Sequence, residues 1–260
     1  MDSAQHILLP APHPGEMMVE YLEFHGWSQS DLARRTGLTP KTISEICNCK
    51  APISPPTALA LEKVFQRPAH LWLNLQRQFD EAEARRRHQE RSSSWKDWVG
   101  RFPIQEMRKR KWLPSQAPSD ADAVLSFLGV SSPESWNAVW RASSVAYRQT
   151  RRSEVSPEAV AAWVRRTEIE AAEISTQPFD EDRFVEVLGE LRQHTRLPVA
   201  EALDKVQQAC AATGVALVVV PELSHTGISG CARWLTNTKP LIALTLRYKT
   251  DDQLWFTFFH

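Results

Sequence analysis

At 260 residues the chain is long enough for one large or two ordinary domains, each with a real buried core. Lys plus Arg and Asp plus Glu both number 31, so overall charge selects no partner and any attraction to phosphate has to be local. No apolar run approaches the roughly 18 residues of a membrane span, and the opening MDSAQHILLPAPHPGE lacks the basic-then-apolar order of a secretory leader, so a cytoplasmic chain without membrane contact is expected. Four cysteines, Cys47, Cys49, Cys210 and Cys231, make no CxxC pair and are expected as reduced, mostly buried thiols.

The first dozen residues, with Pro10, Pro12 and Pro14, read as an extended arm. Pro14-Gly15-Glu16 then opens a helix whose apolar side is Met17, Met18, Tyr21, Leu22 and Phe24, and Gly26 stops it. Ser28 is placed to cap the next helix, with Asp31 three residues on where a capping box usually has Glu or Gln. Leu32 and Ala33 point inward, and Gly37 ends the helix where the chain must turn through positive φ. Thr39-Pro40 starts a second short helix, Thr as cap and Pro at the first helical position. In it Ile43, Ile46 and Cys47 share one face, and Lys41, Glu45 and Asn48 another.

That spacing is a helix-turn-helix. A helix buried on one side, with Lys, Thr, Ser, Glu and Asn outward, suits a major groove that offers both donors and acceptors. Spacing alone leaves open a small bundle whose polar face meets only water. Further on, Ser54 caps APISPPTALALEKVF, with Leu59, Leu61, Val64 and Phe65 as the buried face, and AHLWLNLQRQFDEAEARRR follows with Leu71, Trp72 and Leu75 inward. The segment EAEARRRHQERSSSW (81–95) loses its apolar face and reads as a linker, helical at first; 81–115 carries ten basic against five acidic residues.

Several of these residues resemble the lambda-repressor-like (Xre) family position by position. Gln29 opens the first helix, Ala33 and Gly37 hold the turn, Ile43-Ser44 sits mid-helix, and Asn48-Cys49-Lys50 stands where that family has Asn-Gly-Lys. Over 13–80, HPGE, NxKxPIxPxTALxLEKVF and LWLNLQ resemble the HigA-type antitoxin branch. The resemblance implies a homodimer on a pseudo-palindromic double-stranded operator, often with a cognate toxin. It places Lys41 and Glu45 at base edges with Thr39, Thr42 and Ser44 in support, and Gln29, Asn48 and Lys50 on the backbone.

Beyond residue 95 the apolar pattern resumes with Trp98, Phe102, Ile104, Met107 and Trp112. Helices are expected in DADAVLSFLGV, PESWNAVWRASSVAYRQ, SPEAVAAWVRRTEIEAAEI, DEDRFVEVLGELRQHT and PVAEALDKVQQACAATG, with good starts at Ser156-Pro157 and Asp180. After Gly214 the character changes. VALVVVP reads as a buried strand, GCARWLT and PLIALTL follow at hairpin spacing, and Thr250 caps a last helix, TDDQLWFTFFH. A small three-stranded antiparallel sheet is expected.

This succession of GVALVVVPE, GCARW, PLIALTLRY and DDQLWFTFFH resembles the ImmA/IrrE family of zinc metallopeptidase-like domains, in which the last segment runs into HExxH. His260 matches the first histidine of that pattern, while the Glu and second His that hold and use zinc have no counterpart in the sequence. The expectation is therefore no cofactor and no cleavage in this chain, with zinc only in a longer form that would continue past His260. His88, His194 and His225 each stand apart from any ligand set.

Together these readings give an N-terminal all-α, five-helix helix-turn-helix domain (13–80), a linker (81–95), and a C-terminal α+β domain (96–260), mostly helical with its small sheet. The expected function is a DNA-binding regulator or antitoxin acting as a dimer. A zinc endopeptidase regulator and a toxin-binding antitoxin remain the alternatives.

Overall fold

The computed structural model describes residues 11–141, 155–245 and 251–259. The chain forms two compact units, Met1–Ser93 and Ser94–His260. The expected N-terminal arm and the cap at Thr250 lie largely or wholly outside the described residues, and His260 does too.

The first unit holds α1 (Pro14–His25), α2 (Gln29–Thr36), α3 (Pro40–Cys47), α4 (Pro55–Phe65) and α5 (Ala69–Ser92). Each of the first four begins on a side chain that accepts from a backbone N–H of the first turn: His13, Ser28, Thr39 and Ser54. Their inward residues, Met18, Leu22, Leu32, Ile43, Ile46, Leu61 and Phe65, close around Trp72 of α5 as one core. Gln76, one turn beyond Trp72, is also buried. Its Oε1 accepts from Ile53 N (2.9 Å) and its Nε2 donates to Asp80 (2.8 Å), tying the loop after α3 to α5.

The sequence pattern overreached at several positions. Phe24 and Leu59, assigned to apolar faces, are 84% and 54% exposed, and Leu71 and Leu75 are only half-buried beside Trp72 and Gln76. The expectation of five helices followed by a linker is also adjusted. α5 runs unbroken through 81–92, and a 3-10 turn, Ser93–Trp95, follows it directly. What keeps 81–91 helical without an apolar face is a ladder of ion pairs. Arg77 and Arg85 flank Glu81, Arg86 and Arg87 flank Glu83, and Arg86 also reaches Glu90.

The second unit begins with short helices α6 (Lys96–Val99), α7 (Ile104–Lys109), α8 (Asp120–Leu128) and α9 (Pro133–Trp136). α9 was expected to continue to Gln149. It passes into a π-helical turn, Asn137–Arg141, and the rest of that expected helix lies outside the described residues, which resume at 155. α10 (Pro157–Glu173), α11 (Glu181–Leu191) and α12 (Val199–Ala212) follow, then β1 (Ala216–Val219), β2 (Gly230–Thr236), β3 (Lys239–Leu244) and α13 (Asp251–Phe259).

The sheet is mixed, which corrects the expected antiparallel one. Its order is β1-β3-β2, with β3 parallel to β1 and antiparallel to β2. The β2–β3 spacing did specify a hairpin. The connection 220–229, however, is long enough for the chain to step over one strand position, and β3 then returns into the gap. Alternation along β1 sends Ala216, Val218 and Val220 into a core with α8 and α10. Val215 and Leu217 go into a second core with α11, α12 and α13. The sheet is thus covered on both faces, which accounts for the unbroken apolar run at 215–220. Trp163 of α10 donates from Nε1 to Val220 O (3.1 Å), and Gln207 of α12 to Leu217 O (3.2 Å).

Among the described residues no helix is long and apolar enough to cross a membrane. Cys47 and Cys210 are buried thiols, Cys231 is half-buried, and Cys49 is exposed. Burial pushes the Cys210 thiol up to about 12, so it behaves as a small apolar group.

Candidate nucleic-acid interface

α2 is held at both ends by local chemistry. Ser28 Oγ accepts from Asp31 N (3.1 Å) while Asp31 Oδ2 accepts from Ser28 N (2.9 Å), so Asp fills the role that Glu or Gln takes in the usual capping box. The bonds from the Ser28 side chain and backbone, and then the Arg34 guanidinium, hold the Asp31 carboxyl down at about 2. At the other end Gly37 has φ +72 and donates to Ala33 O (2.9 Å), while Thr36 Oγ1 returns to Leu32 O (2.8 Å).

α3 starts on Thr39, whose Oγ1 accepts from Thr42 N (3.1 Å) and lies 2.8 Å from Thr42 Oγ1. It ends in a Schellman motif: Lys50 N donates to Glu45 O (2.8 Å) and Cys49 N to Ile46 O (2.9 Å). Cys49 occupies the left-handed position, φ +57, which glycine takes at least cost. The departure from Asn-Gly-Lys therefore leaves the turn itself intact.

A contact not apparent from the sequence fixes the end of α3 against α1. A Cβ on Gly15 would lie 1.9 Å from Ile46 O, so only glycine lets the first turn of α1 approach the last turn of α3. His13 secures that turn of α1. Its Nδ1 accepts from Gly15 N (2.9 Å), its backbone N donates to Glu16 Oε1 (3.2 Å), and its ring meets Phe79 of α5 edge-on at 4.7 Å. His13 is 4% exposed, and burial lowers its pKa against the opposing pull of Glu16 and Asp80. Pro at the first helical position with Glu two places later was the legible sign of this cap.

With α3 so held, Ile43, Ile46 and Cys47 are buried, and the opposite side is open. Lys41 Nζ lies 3.8 Å from Glu45 Oε1, with side chains 83% and 44% exposed. So loose a surface pair holds neither group strongly. Asn48 is exposed, and its Nδ2 donates to Ser44 O (2.7 Å) and approaches Ser44 Oγ (3.3 Å), which orients the amide at the end of α3. Gln29 is exposed in the first turn of α2, and Lys50 is exposed just past α3. Thr39, Lys41, Thr42, Ser44, Glu45, Asn48 and Lys50 thus lie along α3 and its two ends, with Gln29 on the preceding helix. The sequence reading passed over Arg34 and Arg35, both exposed in the last turn of α2. Arg34 pairs with Asp31, and the Arg35 guanidinium sits 3.9 Å over the Trp27 ring. Among the described residues no group of three His, Cys, Asp or Glu side chains comes together in a way that could hold a metal ion.

The helix-turn-helix family profile matches residues 20–72, which contain α2, α3 and α4. The chain is 40% identical to Virulence-associated protein I of Dichelobacter nodosus over 73 residues, 28% of this chain and 68% of that protein. It is 34% identical to the uncharacterized HTH-type transcriptional regulator YddM of Escherichia coli K12, over 28% of this chain and 78% of the regulator. Among solved structures it is similar to the Pseudomonas aeruginosa antitoxin HigA with higBA promoter, at 30% identity, covering 32% of this chain and 90% of that one, with a TM-score of 0.31. Through the α2–α3 pair and the core beneath it, this chain belongs to the helix-turn-helix family of DNA-binding regulators.

Proposed function

We propose that the N-terminal unit reads operator DNA as one half of a homodimer. Lys41 and Glu45 face base edges, Thr39, Thr42 and Ser44 support them, and Gln29, Asn48 and Lys50 meet the phosphate backbone. The observation that carries this reading is the division of α3: three buried apolar residues on one side, an exposed and weakly paired Lys41 and Glu45 on the other. A lysine donates to guanine O6 and N7, and a glutamate accepts from cytosine N4, so the two suit a groove segment rich in G·C pairs. One short helix reaches few bases. A dimer with half-sites about 34–36 Å apart supplies the rest of the specificity.

The HigA-like motifs over 13–80 support autorepression within a toxin–antitoxin or phage-related module, with a cognate toxin as second partner. For the C-terminal unit, the order strand, hairpin, helix over 215–259 supports kinship with ImmA/IrrE domains. The described residues offer no ligand set for zinc, so no chemistry is assigned through a metal here. A tight zinc is proposed only for a form that adds the missing ligands.

The test is promoter protection. Lys41→Ala with Glu45→Ala is expected to lose discrimination between operator and scrambled DNA, about 1–3 kcal/mol per bidentate contact, with an unchanged circular dichroism spectrum. Gln29→Ala is expected to weaken binding to all sequences alike. A double variant that still protects its own promoter like the parent would show the reading face to be wrong. Sedimentation of a single protomer on operator DNA would remove the dimer.

A further inference from the structure

In the second unit, the end of α8, the π-helical turn and α10 border a cleft of about 280 Å³. Leu128, Val139 and Trp140 supply its apolar walls, and Arg165, Glu168 and Arg233 its charged side. Glu168 serves two cations at once. Its Oε2 lies 3.1 Å from Arg165 Nη1, and its Oε1 3.1 Å from Arg233 Nη1. Among the described residues, two guanidiniums against one carboxylate leave one positive charge over.

The donors are not used up either. Arg165 gives Nε to Phe127 O (3.0 Å) and Nη1 to Glu168, and its Nη2 makes no hydrogen bond among the described residues. Arg233 Nη1 is buried and hydrogen-bonded to nothing, its approach to Glu168 being close but poorly aligned. A buried guanidinium N–H left unaccepted costs free energy, and Arg233 Nη1 is such a group.

We infer that this cleft is a binding site for a small monocarboxylic acid with an apolar body. The carboxylate accepts from Arg233 and from Arg165 Nη2, and a ring or short chain lies against Trp140, Leu128 and Val139. A planar carboxylate matches the guanidinium fork, and its single charge matches the single positive charge in excess, which a phosphate dianion would overshoot. The volume sits just below the range of sites for drug-sized ligands, which limits the occupant to few heavy atoms. The site belongs wholly to the second unit and does not depend on how α3 reads DNA.

Titration calorimetry of the full chain, with no DNA present, tests this separately from operator recognition. Benzoate and hexanoate are the probes, benzamide is the uncharged counterpart of benzoate, and inorganic phosphate is the anion without an apolar body. The expected result is one carboxylate per chain, with binding weakened about tenfold or more for benzamide and for Arg233→Gln. Thermal unfolding of that variant checks that it folds, and the benzoate–benzamide comparison on the unmodified chain decides the matter even if it does not. Equal binding of benzamide, phosphate binding as tight as the carboxylates, or no heat from either carboxylate at millimolar concentration each overturns the inference.

Discussion

Two residues away from the open face of α3 hold it in place. Gly15 does so by having no side chain. With Ile46 O 1.9 Å from where a Cβ would stand, Gly15→Ala must push the starts and ends of two helices apart. The expected loss is about 1–3 kcal/mol of N-terminal stability, read by urea unfolding, together with weaker operator binding. An unchanged midpoint would mean that the close approach is not maintained in solution. His13 acts through its lone pair. Because Nδ1 accepts from Gly15 N, the neutral ring is the one that caps α1, and burial keeps the folded pKa below 6.5. The unfolded chain then takes up the proton first. Stability is expected to be full above the unfolded pKa and to decline as pH falls below it, until the folded pKa is passed. Asn also caps helices but does not titrate, so His13→Asn should flatten this part of the stability-against-pH curve. A parent and a variant with the same slope between neutral and mildly acid pH would assign the dependence to another group.

At the scale of elements, legibility followed the locality of the cause. Caps at Ser28, Thr39, Ser54, Ser156 and Asp180 are decided within three residues, and each starts a helix where the pattern placed it. The two faces of α3 were legible for the same reason, since spacing alone sets them. Strand order was not, because the place of β3 between β1 and β2 depends on a connection that passes over a gap and carries no turn signal of its own. The exposure of Phe24 and Leu59 escaped for a similar reason, as periodicity marks an apolar face without saying what covers it. The distal part of α5 was underestimated because its support is charge rather than burial. Glu83 is held at about 2 by hydrogen bonds from Arg86 and Arg87, and Glu81 is lowered by Arg85. These pairs are exposed and screened by salt. A peptide spanning 77–92 is therefore expected to lose helicity by circular dichroism as sodium chloride rises from low concentration to about 1 M, and also as pH falls through the depressed carboxylate range. Helicity indifferent to both would mean that propensity alone sustains the segment.

At the scale of the whole molecule, each unit has a core of its own. One is built around Trp72; the other unit has two, packed on opposite faces of one sheet. The N-terminal unit, Met1–Ser93, is expected to fold without the rest and to unfold cooperatively, with a calorimetric enthalpy equal to the van't Hoff value. A fragment with helical circular dichroism but no cooperative transition would show that its core needs the second unit.

The strand that completes the sheet is the last of the three to be made. Ala216 pairs with Leu241, and everything between them has to leave the ribosome before that bond can form. The N-terminal unit, expected to fold without the rest, has left the ribosome by then, whereas β1, apolar on both faces, has no neighbour on either edge. In a chain whose synthesis stalls short of β3, that naked strand is the segment most open to pairing with another molecule. The burden of misfolding therefore falls on the second unit.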